Sequence, residues 1–191
     1  TPKAHSYPPR NPADITPHTT TLSSSSNKPN WGTQGEQTAM TQPLVMALDA
    51  GTTGVRARLI RKDGTAVASA YREFPQYFPQ PGWVEHDANE IWDAIAATLA
   101  EVVTQLNEPI AAIGITNQRE TILAWDQRTG EPCSRAIVWQ DRRTAARCEE
   151  LAPHLSTVRR ITGLVLDPYF SGTKAAWIAA HHDLPPAPHL R

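Results

Sequence analysis

Leu44-Val-Met-Ala-Leu-Asp-Ala-Gly-Thr-Thr-Gly-Val-Arg56 is an apolar run that ends in an acid, turns through glycines and threonines, and resumes as an alternating run. Its first half reads as a strand closing on Asp49. Its second half reads as a strand with Val55, Ala57 and Leu59 on one face and Arg56 and Arg58 on the other. Gly51 and Gly54 permit a tight reversal and leave backbone N–H groups unshielded, and Thr52 and Thr53 add hydroxyl donors beside them. Such a turn either cradles phosphate oxygens, with Asp49 holding a magnesium ion through water, or carries Gly and Thr for geometry alone. The turn by itself leaves both readings open.

A second apolar run, Ile110-Ala-Ala-Ile-Gly-Ile115, reads as a fully buried strand and opens onto Thr116-Asn-Gln-Arg-Glu-Thr121. Polar groups crowded at the carboxyl end of a strand lie where open α/β sheets place their ligands. Arg119 and Glu120 combine guanidinium donors with a carboxylate acceptor, which suits a small polyol held by its hydroxyls; a salt-bridged turn between strands is the alternative.

Between these runs, Asp63-Gly64 signals a turn into an alternating strand from Thr65 to Glu73, and an aromatic, Pro-containing loop runs from Phe74 to Trp83. Asp87, with Glu90 three residues on, reads as the N-cap of a helix carrying Ile91, Ile95, Leu99, Val102 and Leu106 at helical spacing. Glu90 and Glu101 read as its solvated face. Further strands are expected at Ile122–Trp125 and Ile137–Trp139. Helices are expected at Arg142–Leu151, at Pro153–Ile161, and from a capping Ser171 through Ala180. Pattern alone gives a β-β-β-α-β order and the α/β class.

Lys and Arg total 18 against 19 Asp and Glu, so there is no basic excess and nucleic acid is not an expected partner. No apolar run is long enough for a membrane-spanning helix. Cys133 and Cys148 are too few for a disulfide framework and lack metal-ligand spacing; they read as reduced, buried thiols of a cytosolic, cytoplasmic protein. His181-His182 reads as a helix-end pair, not a metal site. Residues 1–43 are rich in Pro, Ser, Thr and Asn, run through Ser23 to Ser26 and show no hydrophobic period, so a disordered tail is expected. Met40 is a candidate natural start.

Taken in order, these segments resemble the FGGY carbohydrate kinase family, and its glycerol-phosphorylating members in particular. The resemblance rests on Leu48-Asp-Ala-Gly-Thr-Thr53, Arg72-Glu-Phe-Pro75, Pro81-Gly-Trp-Val-Glu-His-Asp87 with Glu90-Ile-Trp92, and Ile115-Thr-Asn-Gln-Arg-Glu120. It continues through Ala136-Ile-Val-Trp-Gln-Asp-Arg-Arg-Thr144 and Thr162-Gly-Leu-Val-Leu-Asp-Pro-Tyr-Phe-Ser-Gly-Thr-Lys174. Ala50, Gly54 and Val55 stand where many members carry more polar residues.

The resemblance implies a ribonuclease-H-like fold of the actin and hexokinase type, here an incomplete amino-terminal domain over residues 44–191. It implies ATP and Mg2+ as cofactors and ATP-dependent phosphorylation of glycerol to sn-glycerol 3-phosphate. It implies Thr52, Thr53, Gly54 and Arg56 against the nucleotide phosphates and Asp49 on the metal through water. Arg119, Glu120 and Tyr169 would bond the glycerol hydroxyls, and Trp139 would line the apolar side. A homo-oligomer is implied at full length. The family's catalytic aspartate lies on a later Gly-Asp-Gln segment, so no catalytic base is expected in this chain, and neither Asp126 nor Asp167 replaces it. The competing readings are a kinase for another polyol or sugar, and a truncated, non-catalytic binding module. No G-x-x-x-x-G-K-[ST] run occurs, which disfavours a P-loop NTPase.

Overall fold

Alternation of small and branched apolar residues builds the sheet. In the computed structural model, which describes residues 43–186 and 189, β1 (Leu44–Ala50) and β2 (Gly54–Ile60) are antiparallel, with Asp49 opposite Arg56. β3 (Ala66–Glu73) pairs antiparallel with the far side of β2. The expectations for the tail and for Met40 lie outside the described residues. Gly54 is fixed by close approach: a Cβ there would sit 2.5 Å from the Arg72 carbonyl oxygen on β3. Val55, Ala57 and Leu59 are buried while Arg56 and Arg58 are exposed, as the alternation requires.

After the short strand β4 (Glu85–His86), helix α1 (Ala88–Thr104) begins at Asp87, whose carboxylate accepts from the Asn89 N–H at 2.9 Å. Glu90 does not reach back to complete a capping box. It turns instead to accept the Tyr77 hydroxyl at 2.7 Å, so it is not a merely solvated side chain. Glu101 does sit on the exposed face, where it pairs with Arg72 at 2.8 Å. Ala94, Thr98 and Val102 are buried on α1, which lies over β2 and β3; with Leu44, Met46, Leu48, Ala68, Ala70 and Phe74 they make the main core.

The chain returns as β5 (Ile110–Asn117), parallel to β1, giving the order β3-β2-β1-β5. The expectation that this strand is fully buried is overturned. Ile113 is 55% exposed and Ile115 71% exposed. β5 is the edge of the sheet, α1 covers β2 and β3, and nothing among the described residues covers β5. An apolar run records what a strand is suited to pack against; it does not supply the partner.

The expected strands after β5 shrink to a short ladder, because the turn-forming residues between them leave little room for pairing. β6 (Ala136–Ile137) pairs with β4, and isolated bridges join Ile122 to Ile137 and Trp125 to Pro132. The helical region resolves into α2 (Ala145–Glu150), one 3-10 turn (Ala152–His154), α3 (Leu155–Thr162) and α4 (Ser171–His181). Gly163, at φ 75°, ends α3 in the left-handed conformation that glycine supplies without strain. His181 stacks on Trp177 at 4.2 Å and faces its carbonyl oxygen at 2.8 Å, an end-of-helix role.

One ion cluster ties the β4 loop to the helices. The Arg143 guanidinium, 1% exposed, donates to Asp141 and Glu85 and lies over the rings of Trp83 at 3.8 Å and Trp177 at 4.6 Å. Asp141 is fully buried and also accepts the N–H groups of Val84 and Arg143. Among the described residues no helix is long and apolar enough to cross a membrane.

Candidate active site

The parallel register of β1 and β5 brings their carboxyl ends together, Asp49 beside Thr116 and Ala50 beside Asn117. From there Gln118 stitches two loops. Its backbone N–H donates to the Ala50 carbonyl at 3.1 Å, and its side-chain amide donates to the Gly51 carbonyl at 3.3 Å and meets His86 Nδ1 at 3.2 Å. Thr121 Oγ1 donates to Gln118 Oε1 at 2.9 Å, which fixes the orientation of that amide and makes His86 Nδ1 an acceptor. The Gly-Thr turn and the Arg119-Glu120 loop are therefore one hydrogen-bonded unit.

Glu120 is the one non-glycine residue with positive φ among the described residues, at 66°. The strain is held by α4. Glu120 Oε2 accepts from the Ser171 backbone N–H at 2.8 Å and the Ser171 hydroxyl at 2.7 Å, where the first turn of α4 presents its amides. Ser171 is thus not the cap that the sequence suggested. Phe170 occupies the cap position, and the serine hydroxyl is spent on Glu120. The Ser171 side-chain bond, the Ser171 amide and the charges of Lys174 and Arg119 hold the Glu120 carboxyl below its usual range, against the opposing effect of burial.

Lys174, fully buried one turn further along α4, donates to the carbonyl oxygens of Glu120 and Tyr169. Burial lowers the pKa of its ammonium group, and the negative charges of Glu120 and Asp141 oppose that shift. Arg119 is exposed and makes no hydrogen bond among the described residues, so the pair is not a salt-bridged turn. A fixed carboxylate and an uncommitted guanidinium lie side by side.

Aromatic rings complete the wall. Trp139 and Tyr169 meet edge to face at 5.9 Å, and Tyr169 meets Phe170 at 5.1 Å. The Trp139 indole N–H donates to Thr52 Oγ1 at 2.9 Å, joining this wall to the Gly-Thr turn. In that turn Gly51 N–H donates to the Gly54 carbonyl at 3.0 Å; Thr53 is exposed, and Arg56 lies over the Tyr71 ring at 4.9 Å. A cavity of about 490 Å3 adjoins the Arg119-Glu120 loop and is lined by Glu120, Cys148, Leu166, Asp167, Phe170 and Ser171 among others. Both cysteines are free; Cys148 is buried, as expected, and its thiol pKa is raised by that burial, whereas Cys133 is only half-buried.

Residues 44–185 match the N-terminal domain of the FGGY family of carbohydrate kinases. The chain belongs to the FGGY family. It is 55% identical over 139 residues to a glycerol kinase of Gloeobacter violaceus, covering 72% of this chain and 28% of that protein. Among solved structures it is similar to Plasmodium falciparum glycerol kinase with ADP, at TM-score 0.71 and 29% identity over 73% of this chain and 29% of that one. A xylulose kinase of Rhodospirillum rubrum matches at TM-score 0.68 and 31% identity, over 72% and 29% of the two chains. This FGGY chain thus spans under a third of the length of the relatives it matches. Its mixed α/β sheet is part of the ribonuclease-H-like fold expected from the sequence.

For a metal, this FGGY chain offers Asp49. Its carboxylate is exposed beside the Gly-Thr turn and makes no hydrogen bond or ion pair among the described residues. No cluster of three or more His, Cys, Asp or Glu residues able to hold a metal occurs among the described residues. One open carboxylate suits a magnesium ion that keeps its water and is held mostly by phosphates. The FGGY motifs carried no signal for Gln118, Ser171 and Lys174 as the residues that fix the Arg119-Glu120 loop. Ser171 and Lys174 lie one helical turn apart, a spacing that puts them on one face of α4; their partners 51 and 54 residues away could not be read from it.

Proposed function

We propose that residues 44–191 are the first part of the catalytic domain of an ATP-dependent glycerol kinase, preceded by a tail over residues 1–43, and that the chain alone is inactive. The observation that carries this reading is the pairing of a carboxylate fixed by Ser171 with the uncommitted guanidinium of Arg119, at the edge of the Gly-Thr turn. Arg119, Glu120 and Tyr169 bind the glycerol hydroxyls, and Trp139 supplies the apolar wall. Thr52, Thr53, Gly54 and Arg56 face the phosphates of ATP, and Asp49 holds Mg2+ through water. When bound, that ion neutralises phosphate charge; the protein groups contribute position and orientation.

The base that takes the hydroxyl proton belongs to a later segment of the full-length kinase. Asp167 pairs with Arg142 and accepts the Tyr169 N–H, and Asp126 pairs with Arg128; neither is read as that base. The full-length kinase is read as cytoplasmic and homo-oligomeric, with the free thiols as the support for the first.

The competing substrate is a sugar such as xylulose, favoured by the 31% identity to the Rhodospirillum rubrum enzyme. A coupled assay of ADP release by the full-length kinase, with glycerol and xylulose as alternative acceptors, decides between them. Glycerol-dependent release is expected from the full-length kinase and none from the 191-residue chain. Preference for xylulose, or turnover by the short chain, overturns the corresponding part of the proposal.

A further inference from the structure

Trp139 has been placed on the acceptor side of the site, yet its one polar atom is turned to the nucleotide side. The indole Nε1–H donates to Thr52 Oγ1 at 2.9 Å, across 87 residues of sequence. An indole N–H only donates, so the threonine oxygen must accept. The hydroxyl's own hydrogen is then left to point elsewhere, and no group among the described residues takes it. The tryptophan is itself held at its backbone, where its N–H donates to Thr121 Oγ1 at 3.2 Å, and Thr121 donates to Gln118, which reaches Gly51. Ring and backbone are thus tied to the Gly-Thr turn through separate routes, with Tyr169 edge-on against the ring.

We propose that Trp139 is a positioning residue for the nucleotide: its indole N–H fixes the Thr52 hydroxyl so that the hydroxyl hydrogen is presented to a phosphate oxygen. The inference rests on the kinase reading above. It predicts coupling between a residue of the acceptor wall and nucleotide affinity, which a purely apolar wall would not produce. Phe keeps the apolar ring and lacks the donor, so Trp139→Phe isolates the hydrogen bond from the wall.

The experiment measures ADP affinity by calorimetry, in the presence of magnesium, for the full-length kinase and its Trp139→Phe, Thr52→Val and double variants. A lost neutral hydrogen bond corresponds to roughly two- to tenfold. Each single variant should bind ADP about fivefold more weakly. The double variant should be no weaker than the weaker single one, because both remove the same arrangement. ADP binding at wild-type strength by Trp139→Phe, or losses that multiply in the double variant, would overturn the proposal.

A second measurement needs no change at Trp139. In the 191-residue chain, Thr52→Val should speed hydrogen exchange of the Trp139 indole N–H by NMR, and unchanged exchange overturns the geometry on which the proposal stands. Missing glycerol turnover with ADP affinity intact removes the substrate reading alone. Equal ADP affinity across all four proteins removes this inference alone, and a wild-type protein that binds no ADP removes both.

Discussion

Lys174 Nζ donates to the main-chain carbonyl of Glu120, 54 residues earlier, and the same ammonium holds the carbonyl of Tyr169 at 2.8 Å. One buried cation therefore fixes the backbones of two proposed glycerol ligands. The left-handed φ of Glu120 is unfavourable for a side-chain-bearing residue and persists because this bond and the two from Ser171 over-determine it.

Removing that cation should be costly. Lys174→Met leaves two carbonyl oxygens without their donor, and a buried unsatisfied acceptor costs about 1–3 kcal/mol. We expect urea denaturation of the chain to show a loss of about 2 kcal/mol or more. A change within error of wild type would mean that water replaces the ammonium at no cost.

Acid should weaken the fold before the carboxylates titrate. His86 has no exposed surface, and burial lowers its imidazole pKa from 6.5 to about 4. Between those values the unfolded chain binds a proton that the folded chain refuses. Its contribution is present above pH 6.5 and is lost as pH falls towards 4, on the order of 3 kcal/mol. His182, also lowered chiefly by burial, acts in the same sense. His86→Phe should therefore reduce, without abolishing, the fall in urea midpoint between pH 6.5 and 4.5. An unaltered slope would contradict the burial of His86 as its source.

The ion cluster gives a larger effect. Arg143→Leu strips the fully buried Asp141 of its cation, and breaking a buried pair from one side typically costs about 3–5 kcal/mol. Thermal or urea unfolding checks this. A loss below about 1 kcal/mol would place the pair in the surface class.

The exposed edge predicts the opposite. Ile115→Lys, at a position 71% exposed, should change the stability of the 191-residue chain by no more than about 0.5 kcal/mol. A loss of several times that would show that β5 is covered in solution.

On the proposed reading, Arg119→Ala in the full-length kinase removes a charged donor to glycerol, a bond worth roughly 1.5–3 kcal/mol. That corresponds to about one to two orders of magnitude in kcat/KM for glycerol. Thr52→Ala should act on the nucleotide side and spare glycerol. Steady-state kinetics varying each substrate separates the two. Wild-type glycerol kinetics in a folded Arg119→Ala protein would remove Arg119 from the clamp.

Local rules made much of this chain legible in advance. The hairpin through Gly51–Gly54, the burial of Val55, Ala57 and Leu59, and the Asp87 cap follow from period and capping chemistry, which act over a few residues. The β-β-β-α-β order and the two polar loops at the strand ends were equally local. The exposure of β5 was not, because burial belongs to whatever packs against a strand and not to the strand. Nor was the fate of Glu90 and Ser171, each of which passed over its helix-local partner for one that the fold delivered from elsewhere, or the reach of Lys174 to the Glu120 carbonyl. Sequence determined which residues are chemically equipped to hold a hydroxyl or a phosphate. Only tertiary structure decided that Glu120 is fixed while Arg119 stays uncommitted, because that depends on α4 meeting the end of β5, a contact between segments some fifty residues apart.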